Sequence, residues 1–417
     1  MDKQQIVIKS SKSSPRLEYV LDFIFNHFFD CTYQLINDSD IRPAHISYGQ
    51  LEECLQVHQS EYLFGLQVLP KEEDIAFKSS NFDLFAYVFF HLSRAEEYNY
   101  TSRDEFGRFL SKDSGTRENL SKPMVDILLL DLAAKLKSEF GIDIKRKENF
   151  RLIHTVDVDQ IFAYKHKNLK RSVGGFVSNI MNADLARLKD RQTSIAKGND
   201  PYDSFDILER GAEGVEAHYF VLVGDYNQVD NALKIEKEDI KNKISELTQM
   251  AEVGIHPSVE SNKNIEKLKS EIGRLENVLG TKIKNARQHY LCINFPVTYR
   301  SLINHGIDHD FSLGFHDHIG FRAGTTNSFY WFDLEKNEAT TLLIHPLIAM
   351  DVSLKKYMKL GPNEALISAR KLIDACREVQ GPFCLLWHNS SFYKEEGWEG
   401  WEETYWGIIN YCKELNA

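Results

Sequence analysis

The stretch LIHTVDVDQIF, residues 152–162, decides how this chain is read. A short apolar run ends in Asp157 and Asp159, separated by one residue. On a strand, residues two apart project from the same face, so at the strand's end both carboxylates reach one site. Two like charges so close repel each other unless a cation sits beside them. The rival reading is a pair of turn or helix-capping aspartates.

Further strand-like runs recur beyond this one: VEAHYFVLVG, AEVGIHPS, IKNARQHYL, DHDFSLGF, TTLLIHPLIAM and GPFCLLWHN. Helical stretches separate them, and that alternation predicts a parallel sheet or barrel. In such folds chemistry collects at the C-terminal strand ends, which is where Asp157, Asp159, His256, His289 and His388 fall. Two charged amphipathic segments, NALKIEKEDIKNKISELTQMAEVG and SNKNIEKLKSEIGRLENVLG, read as outer helices of successive strand-helix units; they are too short for a convincing coiled coil.

Upstream the character differs. Helices are expected at SPRLEYVLDFIFNHFF, NFDLFAYVFFHLSRAEEY and KPMVDILLLDLAAKLKSEF, with NYTSRDEFGRFLSKDSG as a polar loop. The charged junction KRKENF then suggests two domains, 1–148 and 149–417, the first α/β or α+β.

The 417 residues are 42% hydrophobic and 12% aromatic, enough for a large core, and the net charge of -11 argues against an extended nucleic-acid surface. The six scattered cysteines include no CxxC pair, and the N-terminus lacks the apolar core of a signal peptide. No window approaches the roughly 20 apolar residues of a membrane span. These features predict reduced thiols in a cytoplasmic protein; oligomeric state is left open.

His256 in AEVGIHPS, Arg287 and His289 in NARQHYL, and His388 in LLWHNS are each weak signals alone. Taken in order with TVDVD, they resemble the polysaccharide deacetylase family, also called the NodB-homology group or carbohydrate esterase family 4. The resemblance spans roughly residues 150–395. With KPMVD upstream and SLGFHDHIGFRAGT downstream, the chain is similar to a bacterial branch carrying an extra N-terminal domain. It implies a distorted (β/α) barrel. It further implies Asp157 as catalytic base, Asp159 and His256 as metal ligands, Arg287 holding the base carboxylate, and Leu386 and His388 as the last motif, with His388 the general acid.

One departure stands out. The family's second metal histidine lies four residues after the first, and here that position is Glu260. His289 is the preferred third ligand because its imidazole would emerge from the neighbouring strand end; Glu260 and an incomplete site are the alternatives. Arg322 in GFRAGT, between glycines, is a candidate for binding substrate or for pairing with Asp308 or Asp310. Tyr290, Trp387 and Phe321 are candidates for stacking on a sugar, with core packing the competing role. Asp351 is a candidate to orient His388. KNLKRSVGGF reads as a solvated loop, and WEGWEETYW as packing of the last helix.

The expected function is removal of acetyl groups from an N-acetylated sugar or polysaccharide precursor, using a divalent metal: zinc, with cobalt, manganese and nickel as alternatives. The alternatives are a catalytically silent relative that binds glycan or scaffolds polysaccharide assembly, and a hydrolase of some non-sugar C–N bond.

Overall fold

The computed structural model describes residues 3–416 apart from 50–53, 68, 78, 166–184, 228, 231, 233 and 234. The basic segment KNLKRSVGGF lies outside the described residues.

Two sheets organise the chain. The first contains β1 (Gln5–Ser10), β2 (Thr32–Ile36), β3 (Ile46–Tyr48) and β4 (Leu55–Val57), all parallel in the order β2-β1-β3-β4. A helical connection from β1 to β2 and an all-parallel sheet make this part α/β rather than α+β. Its helix starts follow capping chemistry: Ser14 accepts from the Leu17 amide ahead of helix Pro15–Asp22, and Asp83 accepts from the Ala86 amide ahead of helix Leu84–Ser93. The run NFDLFAYVFFHLSRAEEY, expected as one helix, breaks at Arg94, whose backbone turns left-handed at φ 53°. That turn lets the buried Arg94 guanidinium pair with both Glu96 (2.6 Å) and Glu97 (2.9 Å).

The second sheet contains β5 (Leu152–Val158), β6 (Glu216–Val221), β7 (Glu252–Ile255), β8 (Asn285–Ala286), β9 (His309–Asp310), β10 (Phe329–Asp333), β11 (Glu338–Ile344), β12 (Ala349–Met350) and β13 (Phe383–His388). Among the described residues its order is β10-β11-β9-β8-β7-β6-β5-β13-β12, with only the β10–β11 pair antiparallel. The ladder is open between β10 and β12. Even so, Ile153, Phe220, Phe311, Leu347, Met350, Cys384 and Leu386, from strands or strand ends across the sheet, meet in one interior cluster. This is the rolled, incompletely closed geometry of a distorted (β/α) barrel.

Side-chain alternation assigns each strand two faces. Along β5, Leu152, Val156 and Val158 join the outer core beneath the helices, while Ile153 belongs to the interior cluster, on the face shared by Thr155 and Asp157. Gly254 in β7 has no room for a side chain: a Cβ there would lie 2.5 Å from the Asn285 carbonyl and 2.9 Å from the Phe220 ring.

The same alternation corrects the expectation for Trp387. In β13, Leu386 faces inward, so Trp387 between it and His388 faces outward, fully buried against Tyr405 (5.3 Å between ring centres) and Trp401 (6.3 Å). Each such aromatic pair contributes about 0.5–1.5 kcal/mol beyond its buried area. Trp387 is core, as is Phe321.

Arg322 is also corrected. It is buried and donates to both carboxylate oxygens of Glu97 and to the Gly314 carbonyl (2.8 Å). Its flanking glycines approach the N-terminal part of the chain, not a ligand: a Cβ on Gly320 would sit 2.3 Å from the Leu120 carbonyl, and one on Gly324 3.0 Å from the His91 ring. GFRAGT therefore joins the two parts of the chain. Asp308, one of its expected partners, instead pairs with Lys284 (2.8 Å).

Candidate active site

Asp157 and Asp159 stand at the C-terminal end of β5, beside His256 just after β7 and His289 just after β8. His256 Nε2 is 3.3 Å from Asp159 Oδ1 and 3.6 Å from Asp157 Oδ2, and His289 Nε2 is 3.6 Å from Asp159 Oδ1. Asp159, His256 and His289 offer ligand atoms that all lie within 4.8 Å of one another.

The far side of each ring is already engaged. His256 Nδ1 donates to the Arg287 carbonyl (2.6 Å), and His289 Nδ1 donates to Asp230 Oδ1 (2.7 Å). When the rings are neutral, both bonds leave Nε2 as a lone-pair nitrogen facing Asp159; a protonated His256 would instead pair with Asp159 at 3.3 Å. His256 Nε2 and Asp159 Oδ1 are buried with no hydrogen-bond partner. A buried acceptor nitrogen facing a buried carboxylate oxygen, both unsatisfied, costs free energy that a divalent cation between them would recover. Imidazole, imidazole and carboxylate are the donors zinc takes, so the residues fit such an ion.

Glu260 points elsewhere and pairs with Lys267. Of the two candidate third ligands, only His289 joins the cluster.

Electrostatics reinforce the arrangement. Burial pushes the Asp159 carboxyl up, but His289, His256 and His388 outweigh it and hold it well below the usual carboxylate range. Burial also raises Asp230, and its bonds from His289, Asn227 and the Val259 amide bring it down below its ordinary value. Asp230 was not found from the sequence; it lies on the loop after β6, 59 residues from His289.

Arg287 is fully buried beneath Asp157. It donates to Thr155 Oγ1 (2.7 Å) and the Phe311 carbonyl (3.0 Å), with Asp157 Oδ1 at 3.4 Å. His388, at the end of β13, donates from Nδ1 to Asp351 Oδ1 (2.8 Å), while its backbone amide donates to Asp351 Oδ2 (2.8 Å). Burial pushes His388 down, but Asp351, then Asp159 and Asp157, outweigh it and lift the imidazole to about 9. At neutral pH it carries a proton, with Nε2–H free to donate.

Asp157, Asp159, His256, His289 and His388 line one cavity of about 260 Å³, whose wall also includes Tyr290, Tyr357, Lys356 and Arg108. Of the three side chains expected to touch substrate, Tyr290 is at the cavity, and Arg322 and Trp387 are not.

Residues 6–141 match a family of unknown function (DUF7033). No curated protein matches. Among solved structures, the chain is similar to the putative polysaccharide deacetylase from Mycobacterium smegmatis, at 15% identity and a TM-score of 0.39, over 64% of this chain and 84% of that one. It is also similar to the polysaccharide deacetylase Bc1974 from Bacillus cereus, at 10% identity and a TM-score of 0.31, over 65% and 89%. A third is a CE4 family pseudoenzyme from Bacillus anthracis, at 11% identity and a TM-score of 0.31, over 64% and 61%.

Proposed function

We propose that this chain is a metal-dependent hydrolase that removes an acetyl group from an N-acetylated sugar, with the chemistry carried by residues 149–417 and residues 1–148 forming a separate domain. The observation that carries the reading is the pair of buried, unpartnered atoms, Asp159 Oδ1 and His256 Nε2, converging with His289 while both imidazoles are anchored through Nδ1. Asp159, His256 and His289 would hold the ion, with zinc the leading choice and cobalt, manganese or nickel the alternatives. A bound divalent metal supplies Lewis acidity and lowers the pKa of its water to about 7.

The chain's own groups account for the proton movements. Asp157 takes a proton from the attacking water as the water oxygen bonds to the acetyl carbon. Arg287 keeps that carboxylate in place. As the C–N bond breaks, His388 gives its Nε2 proton to the sugar nitrogen, which leaves as a free amine beside acetate. Asp351 holds the ring for that transfer; Asp157 then passes its proton to solvent, His388 takes one back, and the new carboxylic acid loses its remaining proton to leave acetate.

The test is acetate release from N-acetylated sugars by metal-loaded protein. Wild type should release acetate, and Asp157→Asn should be slower by about 10²–10⁴-fold while retaining its metal. Stoichiometric metal without acetate from any N-acetyl sugar would leave a glycan-binding protein in place of an enzyme.

A further inference from the structure

Part of the cavity wall comes from the segment that matches the family of unknown function. Residues 104–108 form a tight turn: Asp104 Oδ1 accepts from the amides of Phe106 (3.0 Å) and Arg108 (2.8 Å), and Asp104 Oδ2 accepts from Arg108 Nε (2.7 Å). Ser111, three residues on, pins the loop to the barrel by donating from its amide (3.1 Å) and hydroxyl (2.9 Å) to Asp317.

Arg108 is buried and its charge is matched by Asp104, so it is poorly suited to capture an anion. Its remaining donors go to the Tyr290 carbonyl (3.1 Å) and the Tyr357 hydroxyl (3.3 Å). Phe106 stacks on Tyr290 at 4.6 Å and 17°. Tyr290 and Leu291 both have positive φ, at 59° and 55°, a costly conformation for residues with side chains. The Arg108 bond to the Tyr290 carbonyl and the Phe106 stack hold that backbone in place next to His289.

The result is two tyrosines, Tyr290 at 36% and Tyr357 at 39% exposure, held at the cavity by one guanidinium. Phe106 covers one face of Tyr290 and Arg108 lies over both tyrosines, and the part of each ring left exposed offers apolar surface to the C–H face of a sugar. The cavity, at about 260 Å³, is smaller than the roughly 300–1,000 Å³ usual for ligand sites, and the loop occupies part of its boundary.

We propose that the 104–108 loop of the N-terminal segment is a substrate-positioning wall that holds Tyr290 and Tyr357 as an aromatic clamp and admits one terminal or free N-acetylated sugar ring, excluding the interior units of a long polymer. Arg108 is the positioning residue. This rests on the sugar reading above.

Saturation-transfer NMR on the full, metal-loaded chain tests it, with N-acetylglucosamine and its β-1,4-linked tetramer as probes and acetate measured in the same samples. Wild type should saturate the monosaccharide and one end ring of the tetramer. Tyr357→Ala, a half-exposed position that leaves the core intact, should weaken monosaccharide binding about tenfold. Arg108→Ala should in addition shift the affinity ratio toward the tetramer by about tenfold and extend saturation to its inner rings, a change in specificity that a merely structural role would not produce. Equal saturation along the tetramer in wild type, or none from either probe, overturns the proposal. The two readings fail separately: end-ring binding without acetate sinks deacetylation and keeps the clamp, and acetate from inner rings keeps deacetylation and sinks the clamp.

Discussion

The two ends of the barrel hold nearly the same residue types and differ in what those residues do. At the C-terminal strand ends, Asp157, Asp159, His256, His289 and His388 line one cavity. Near the N-terminal ends of β6 and β7, a second cavity is lined by Glu216, His218, Glu252, His309 and His345. There the partners are local: His218 Nε2 pairs with Glu216 (3.0 Å), His309 with His345 (3.0 Å), and His345 in turn with Ser328 (2.9 Å). His218 Nδ1 also lacks a hydrogen bond, but its nearest acid, Glu252, is 72% exposed and 3.6 Å away. Among the described residues, only the upper end brings three ligand atoms within 4.8 Å of one another. The difference teaches that an inventory of histidines and acids is not yet a site. What distinguishes one is that the outer ring nitrogens are tied down so that the inner ones converge on an unsatisfied carboxylate.

The sharpest way to break this comparison is by metal content. Elemental mass spectrometry on zinc-incubated protein should find near-stoichiometric metal in wild type and in His218→Ala and His309→Ala, and none in Asp159→Ala, His256→Ala or His289→Ala. Asp230→Asn, which weakens the anchor of His289, should lower metal affinity by about 10–100-fold. Metal retained by the upper variants and lost from the lower ones would reverse the assignment.

Next in size is the buried pair beneath the site. Arg287→Met removes the cation and leaves Asp157 buried without its charge partner, which should cost about 3–5 kcal/mol in urea unfolding. His218→Ala, at the more exposed end, should cost less. Equal losses would mean that Asp157 does not depend on Arg287 for its charge balance.

The smallest expected effect is on the pH dependence of stability, where the two ends should behave oppositely. His388 is lifted to about 9, above the unfolded value near 6.5, so its stabilisation is fully present below 6.5 and is lost as pH rises through 9. His345 is pushed down to about 3 by burial, so folded protein binds fewer protons than unfolded chain, and stability falls as pH drops from 6.5 toward 3. In metal-free protein, His388→Asn should flatten the alkaline limb of the urea midpoint and His345→Gln the acid limb. An unchanged alkaline limb in His388→Asn would show that Asp351 does not stabilise the protonated ring.

Some of the site was legible along the chain because strands obey a period of two. Asp157 and Asp159 share a face for that reason, and the same period, applied to LLWH, would have set Trp387 on the face opposite His388. Other parts had no such signal. Asp230 and Arg108 lie on loops and act on partners 59 and 182 residues away, separations at which no periodicity operates. For Arg322 the substrate-binding and structural readings could not be separated, because a glycine-flanked arginine looks the same whether the backbone approaches a ligand or a distant part of the chain; its partner proved to be Glu97.

By itself, then, the sequence determined the alternation of strand and helix, the facing of the paired aspartates and the order of the histidines, since each follows from local propensity and side-chain period. Only the tertiary structure decided that His289 and not Glu260 completes the cluster, that Arg322 pairs with Glu97, and that the N-terminal segment reaches the cavity. Those outcomes depend on which distant groups share a buried volume and compensate one another's charge, and that is settled by packing the whole chain.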